Sequence, residues 1–337
     1  MHSRPEVLAP FGGHALVGDW SLHAGWTVVG LVLLGGYLVA LRSASGHGHR
    51  RPVGPPRVAC FVAGVVLLVV TVSSAVDRYA MSVFWVHMIE HLMLIMVVPV
   101  LLVLGHPLSV VRDGLPRSAR ERFEAALRSG PVSVVTHPVT ALLFYSAVIV
   151  GTHLTSFMDR MAMHPRLMTL EQVLYVGSGW LLFLTLIGNE PIRWRLPYLL
   201  RIVLLLLAMM PDTVVGIVLL QTEHVLFPMM MGMHPSWAPN PVRDQQISGG
   251  LMWAAGDGLM MCVAAGLVVA LISGTSARAQ VLGPWLESAR RQTLATHLAH
   301  GGAEQTDHAE GRDVDVDEDE DMLAAYNEML ARMNKPS

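Results

Sequence analysis

Lysine is almost missing from this chain: Lys335 stands alone among 23 basic residues, the rest being arginine. That preference carries no functional assignment. Charge of either sign is scarce, with 15% of residues charged against 53% hydrophobic, where a soluble domain carries about 25% charged. A soluble globular protein is excluded, and a polytopic membrane protein remains. The net charge of -3 says little, because the acidic residues gather near the C-terminus. Only two cysteines occur, Cys60 and Cys262, remote from each other and each inside an apolar stretch. They exclude a disulfide framework and argue against a thiolate metal site. Residues 1–21 lack a basic segment followed by an apolar core, so a cleaved signal peptide is not expected, and the first spanning helix is expected to direct insertion and be retained. No internal repeat stands out. Nothing supplies a nucleophile or a substrate pocket, so an enzyme is not expected, and neither is nucleic acid as a partner.

Seven apolar segments are long enough to cross a bilayer at about 20 residues each. They are 24–41, 58–76, 82–105, 137–157, 170–188, 198–220 and 247–272. Strands of a membrane barrel would be about half as long and would alternate apolar with polar. These segments do neither, so the expected fold class is an all-α integral membrane protein, a seven-helix bundle. Basic residues accumulate on the cytoplasmic side of such proteins. Arg42, Arg50, Arg51 and Arg57 follow the first segment, Arg112, Arg117, Arg120, Arg122 and Arg128 the third, and Arg193, Arg195 and Arg201 the fifth. The alternate connections hold Arg4, Arg78, Arg160, Arg166 and Arg243. With the tail counted, 18 basic residues fall on one side and five on the other. The N-terminus is therefore expected outside and the C-terminus in the cytoplasm. The chain divides into an extracytoplasmic arm (1–23), a transmembrane domain (24–272) and a cytoplasmic tail (273–337). In the tail an acidic run over 313–321 precedes Met322, Tyr326, Met329 and Met333 at helical spacing. That spacing suits a short amphipathic helix able to dock on a partner, while the composition also suits a solvated tail without fixed fold.

His87-Met88-Ile89-Glu90-His91 interrupts the third segment, and ionisable groups within a bilayer mark a functional site by default. His87 and His91, four apart, project from one helix face a turn apart. Two stacked imidazoles with a carboxylate beside them suit a metal or a haem iron; the structural alternative is a buried pair satisfied by helix carbonyls. At the helical rise they lie about 8 and 14 Å below the start of their helix. The expected topology puts His14, His23, His153, His164, His224 and His234 on the same, outer side. His47, His49, His106, His137, His297, His300 and His308 fall on the cytoplasmic side and read as incidental.

Methionine repeats the pattern. One outer connection contains Met158, Met161 and Met163 before His164, and another contains Met229, Met230, Met231 and Met233 before His234. Thioethers with imidazoles select Cu(I) and suit a compartment where thiols would oxidise. Zinc would prefer histidine with carboxylate or thiolate and would have little use for methionine. Methionine also fills gaps in apolar cores, which is the better account of single residues such as Met93 and Met96.

Two carboxylates lie near the expected midplane: Asp212, after Pro211 in the sixth segment, and Asp257 in the seventh. Charges at that depth face the bundle interior and pair. Pro211 is expected to kink its helix. With Glu90, these carboxylates read either as a polar path running inward from the histidines or as interhelical hydrogen bonds between protonated groups. His87-x-x-Glu90-His91 also matches a zinc-protease pattern in which the glutamate is the general base. That reading leaves the methionine loops unexplained.

The run from His87 through Leu94, continuing over Val98-Pro99-Val100 to Gly105-His106-Pro107, resembles the multi-spanning CtaG family, assembly factors for caa3-type cytochrome c oxidase. Thr152-His153-Leu154-Thr155 with Met158-Asp159, the stretch from Asp244 to Trp253, and Asp257 resemble further parts of it in the same order. The resemblance implies a role in maturing a haem–copper oxidase in a bacterial plasma membrane, with oxidase subunits or another assembly factor as partners and copper supplied on the outer side. His87, His91 and His153 are then the expected copper ligands, with His164, His224, His234 and the loop methionines capturing the ion. A copper transporter using the same residues and a haem protein with His87 or His91 opposite His153 remain the competing readings.

Overall fold

Helix ends in this chain follow its serines, prolines and glycines. The computed structural model describes residues 9–18, 20, 22–46, 53–187, 190–231 and 234–301, with side chains described up to 272 except at 15–17, 46, 165 and 231. Among them every regular element is helical: α1 (Gly13–Gly18), α2 (Ala24–Gly46), α3 (Pro55–Thr71), α4 (Ala75–Ala80), α5 (Phe84–Leu92), a π-helical turn (Met93–Val97), α6 (Val98–Leu104), α7 (Pro107–Gly114), α8 (Arg117–Leu127), α9 (Gly130–Val135), α10 (Pro138–His153), α11 (Phe157–Met163), α12 (Pro165–Leu186), α13 (Tyr198–Gln221), α14 (Pro228–Met231) and α15 (Pro241–Gly301). One compact unit covers Met1–Leu271. A second, Ile272–Ser337, is described as helix as far as Gly301. The expected amphipathic helix over 322–333 lies outside the described residues.

Among the described residues five helices are long and apolar enough to span a membrane: Ala24–Ser45, Phe84–Gly114, Arg166–Leu186, Tyr198–Gln221 and Pro241–Ile272. A sixth candidate is the pair α10 and α11, which bends by 65° at its break. The second expected segment appears as α3, apolar but only 17 residues long. It stops at Thr71, with Val72 as its C-cap, and two residues further on Ser74 caps α4 by accepting from the Val76 N–H at 3.2 Å. The break after α10 has a similar origin: Thr155 Oγ1 accepts from the Phe157 N–H and opens α11. α13 runs on as one helix through Pro211.

The stretch α5–π–α6 is the centre of the bundle. More than half of its most apolar window is buried, 56% against 11% for α2. α3 packs on α6, and α12 packs on α6 and on the π turn; α10 lies against α12 and α13. The π turn has a local cause. Pro99 has no N–H for the Ile95 carbonyl one turn back and its ring crowds that carbonyl, so the helix widens just before it. A Cβ at Gly179 of α12 would collide with the Ile95 carbonyl oxygen. Glycine there lets two backbones touch, as small residues do at membrane helix crossings. Gly216 and Gly249 play the same part between α13 and α15, where a Cβ on Gly249 would come within 2.5 Å of the Gly216 carbonyl oxygen.

Candidate metal centre

α5 brings His87 and His91 to the interior, both almost fully buried, with ring centres 4.0 Å apart. The carboxylate that meets them is Glu171 of α12, with Oε2 3.7 Å from His87 Nε2 and 3.5 Å from His91 Nε2. The ligand atoms of these three residues lie within 4.8 Å of one another. Donors bound at ~2.0–2.2 Å to one cation are at most about 4.4 Å apart, so a small contraction closes the shell. Neither ring nitrogen of His87 or His91 has a hydrogen-bond partner. Buried polar atoms are normally satisfied, and each orphan costs about 1–3 kcal/mol. The two Nε2 atoms that face the carboxylate fit a cation that is to be bound.

His153, at the end of α10, meets His91 edge-to-face with ring centres 5.1 Å apart. Its Nδ1 lies 3.0 Å from both the Ile149 carbonyl oxygen and Thr152 Oγ1, and a hydrogen on Nδ1 satisfies the carbonyl, which can only accept. In that tautomer Nε2 keeps its lone pair and has no partner, and the bond at Nδ1 orients the ring as a ligand. Tyr175 supports the other side. Its hydroxyl donates to Glu171 Oε1 at 3.5 Å and lies 2.6 Å from Thr152 Oγ1. A small cavity adjoins the cluster, with Met88, His91, His153, Tyr175, Asp212 and Met252 in its wall. Asp212 Oδ2 accepts from the Tyr145 hydroxyl at 3.0 Å, and one residue on, Thr213 Oγ1 donates to Asp257 Oδ2. Of the two intramembrane aspartates, Asp212 reaches the cavity.

Glu90 belongs to a different group. Its Oε1 accepts from Gln172 Nε2 at 2.8 Å, so Glu171 and not Glu90 stands beside the imidazoles. The general-base arrangement of the zinc-protease pattern is therefore not formed by these five residues. The methionine segments do come together, α11 packing on α14, with Asp159 Oδ1 accepting from the Met229 N–H. Met158, Met161 and Met230 are buried in the main apolar core, whereas Met163 and Met229 are exposed. His164 and His224 are exposed. His234 Nε2 lies 3.2 Å from Asp244 Oδ2, apart from the imidazole cluster. Met233 and the side chain of Met231 lie outside the described residues. Sequence reasoning passed over Glu171, Tyr175, Met88 and Met252. Glu171 carried the same signal as Glu90, an acid in an apolar segment.

Asp244 explains why α5 starts where it does. The helix begins after Val83, whose side chain makes no cap. The fully buried Asp244 of α15 supplies one from across the bundle, accepting from the Phe84 N–H at 2.8 Å and the Trp85 N–H at 3.0 Å. An acidic group there also suits the helix dipole. Asp244→Ala leaves two buried donors unpaired, at about 1–3 kcal/mol each. The melting temperature of the purified protein should fall clearly and recover in part with Asp244→Asn.

The family profile for the cytochrome c oxidase caa3 assembly factor matches residues 35–273. The chain belongs to that family. It is 30% identical over 314 residues to an uncharacterized protein of Mycobacterium bovis and equally to one of Mycobacterium tuberculosis, covering 91% of this chain and 43% of each relative. An uncharacterized protein of Mycobacterium leprae is 31% identical over 233 residues, 66% of this chain and 35% of the relative. The chain thus spans less than half the length of these relatives. No solved structure matches it. The matched region contains the whole imidazole cluster, Glu171 and both aspartates.

Proposed function

We propose that this protein matures a haem–copper oxidase by holding Cu(I) at His87, His91 and Glu171, with His153 as a further donor, and passing it to the oxidase or to another assembly factor. The observation that carries this reading is the set of orphaned imidazole nitrogens around one buried carboxylate. Charge favours the cuprous ion. One carboxylate neutralises Cu(I), whereas a dication would leave a net positive charge where desolvation makes charge costly. The thioethers of Met88 and Met252 in the adjoining wall suit the same ion. The edge-to-face approach of His91 to His153 at 5.1 Å favours an ion over a porphyrin between them. In this reading seven segments cross a bacterial plasma membrane, α3 and the bent pair α10–α11 included. The N-terminus is outside, and the chain performs no catalytic reaction of its own. The exposed His164, His224, Met163 and Met229, together with His234, serve as outer capture groups.

Copper analysis of protein purified from copper-replete cells tests the proposal, with a chromogenic Cu(I) chelator reading affinity under reducing conditions. About one copper per chain is expected. Glu171→Gln should weaken binding at least as much as the loss of an outer-shell partner, about 10–100-fold. Protein that carries no copper and acquires none would overturn the reading. Movement of copper across vesicles containing this protein alone would replace holding with transport.

A further inference from the structure

A second polar cluster joins α2, α4, α5 and α12, and the centre does not use it. Its outer member is His23, whose side chain is 51% exposed and whose Nε2 lies 3.0 Å from Asp77 Oδ2. Asp77 is 8% exposed, and burial pushes its carboxyl up while His23 and Gln172 pull it down. Gln172 stands between Asp77 and Glu90, its Nε2 donating to Asp77 Oδ1 at 3.0 Å and to Glu90 Oε1 at 2.8 Å. Its Oε1 accepts from Trp26 Nε1 at 2.8 Å, which fixes the amide orientation. Glu90 is 2% exposed and its Oε2 has no partner. Two of these residues are the chain neighbours of the centre: Glu90 precedes His91, and Gln172 follows Glu171.

Both hydrogens of one amide nitrogen are shared by two carboxylates. That nitrogen occupies the position a cation would take between two acidic side chains, and Glu90 keeps a bare oxygen beside it. The ladder therefore runs from an exposed imidazole, through a nearly buried carboxylate, to a buried carboxylate with an unpartnered oxygen, one residue before His91 in the chain. A conducting path must bind each ion well enough to admit it and weakly enough to release it. Carboxylates, poor ligands for a soft ion and attractive through charge alone, meet both needs.

We propose that His23, Asp77, Gln172 and Glu90 form the access route by which a small metal cation reaches the His87–His91–Glu171 centre. Gln172 acts as its gate. The cation binds first to His23 Nε2 and Asp77. As the Gln172 amide withdraws from the two carboxylates, Glu90 Oε2 bonds the ion and the His23 bond breaks. His91 then bonds it as the bonds to Asp77 and Glu90 break, and no electron changes hands. The route rests on the reading that the centre holds a metal.

The test uses the full-length protein in lipid nanodiscs, anaerobic, with Cu(I) held by a chromogenic chelator as probe. The chelator's absorbance follows both loading of metal-free protein and withdrawal from loaded protein. His23→Ala, at an exposed position, and Asp77→Asn, which keeps an acceptor for Gln172, should each slow loading and withdrawal by about tenfold. The final occupancy and affinity should stay unchanged, because a route alters both rates equally. A shift in affinity with withdrawal accelerated would mark the cluster as structural support and overturn the route. Unchanged rates in both variants would overturn it as well, while wild-type binding that is lost in Glu171→Gln would leave the centre standing. No copper uptake by the wild type would overturn route and centre together.

Discussion

Replacing His87 and His91 together by alanine is expected to abolish copper binding while leaving the folded protein in the membrane. Two opposed energies set the outcome. Removing two buried side chains opens a cavity, and large-to-alanine changes in a core cost about 2–5 kcal/mol. The same change removes four buried nitrogens that have no hydrogen-bond partner, each costing about 1–3 kcal/mol while unsatisfied. The second effect offsets the first, so the metal-free variant should melt close to the metal-free wild type. Copper content should fall to background and oxidase activity in cells should fall with it. If the pair were structural, the opposite would be seen: a marked loss of stability with copper content unchanged. Comparing the metal-free forms by thermal melting in one detergent, beside copper analysis, separates these cases.

The second large effect is expected at Gly179, which is itself no ligand. A side chain there meets the Ile95 carbonyl oxygen and the Pro99 ring, and neither can yield without moving the π turn. Backbone cannot step aside as a flexible side chain can, so Gly179→Val must push α12 off the central helix. Glu171 rides on α12, eight residues or about 12 Å along its axis. Separation at Gly179 therefore also draws the carboxylate away from the imidazoles. The yield of monodisperse protein in size-exclusion chromatography should collapse, and surviving protein should bind copper weakly. Wild-type yield and copper content would show that the contact between Gly179 and Ile95 is not required.

His87 and His91 could be read from the sequence because polar groups inside an apolar run violate the usual economy of a bilayer, and that violation is local. Glu171 could not, although it is the same kind of anomaly. Glu171 is only the second residue of the apolar segment 170–188, where an acid reads as a segment end, but the helix begins at Pro165 and Glu171 lies well inside it. The π turn depends on Pro99, visible in the chain, yet its consequence for Gly179 depends on which helix lies opposite. The methionine segments show the same limit. Their spacing suggested one ligand set in two loops, and folding divided them between core and surface.

Composition and period were enough to establish a helical membrane protein, because solvation of the backbone in lipid leaves few alternatives. The motif order was enough to indicate its family. What needed three dimensions was every pairing between helices: Glu171 rather than Glu90 beside the imidazoles, His153 turned with its free nitrogen inward, Asp244 capping α5, and Gln172 lying between two carboxylates. A helix presents its residues with a fixed local geometry whatever surrounds it, so its own face can be read from spacing. Which residue meets that face is set by the packing of the whole bundle, and the order of residues along the chain does not contain it.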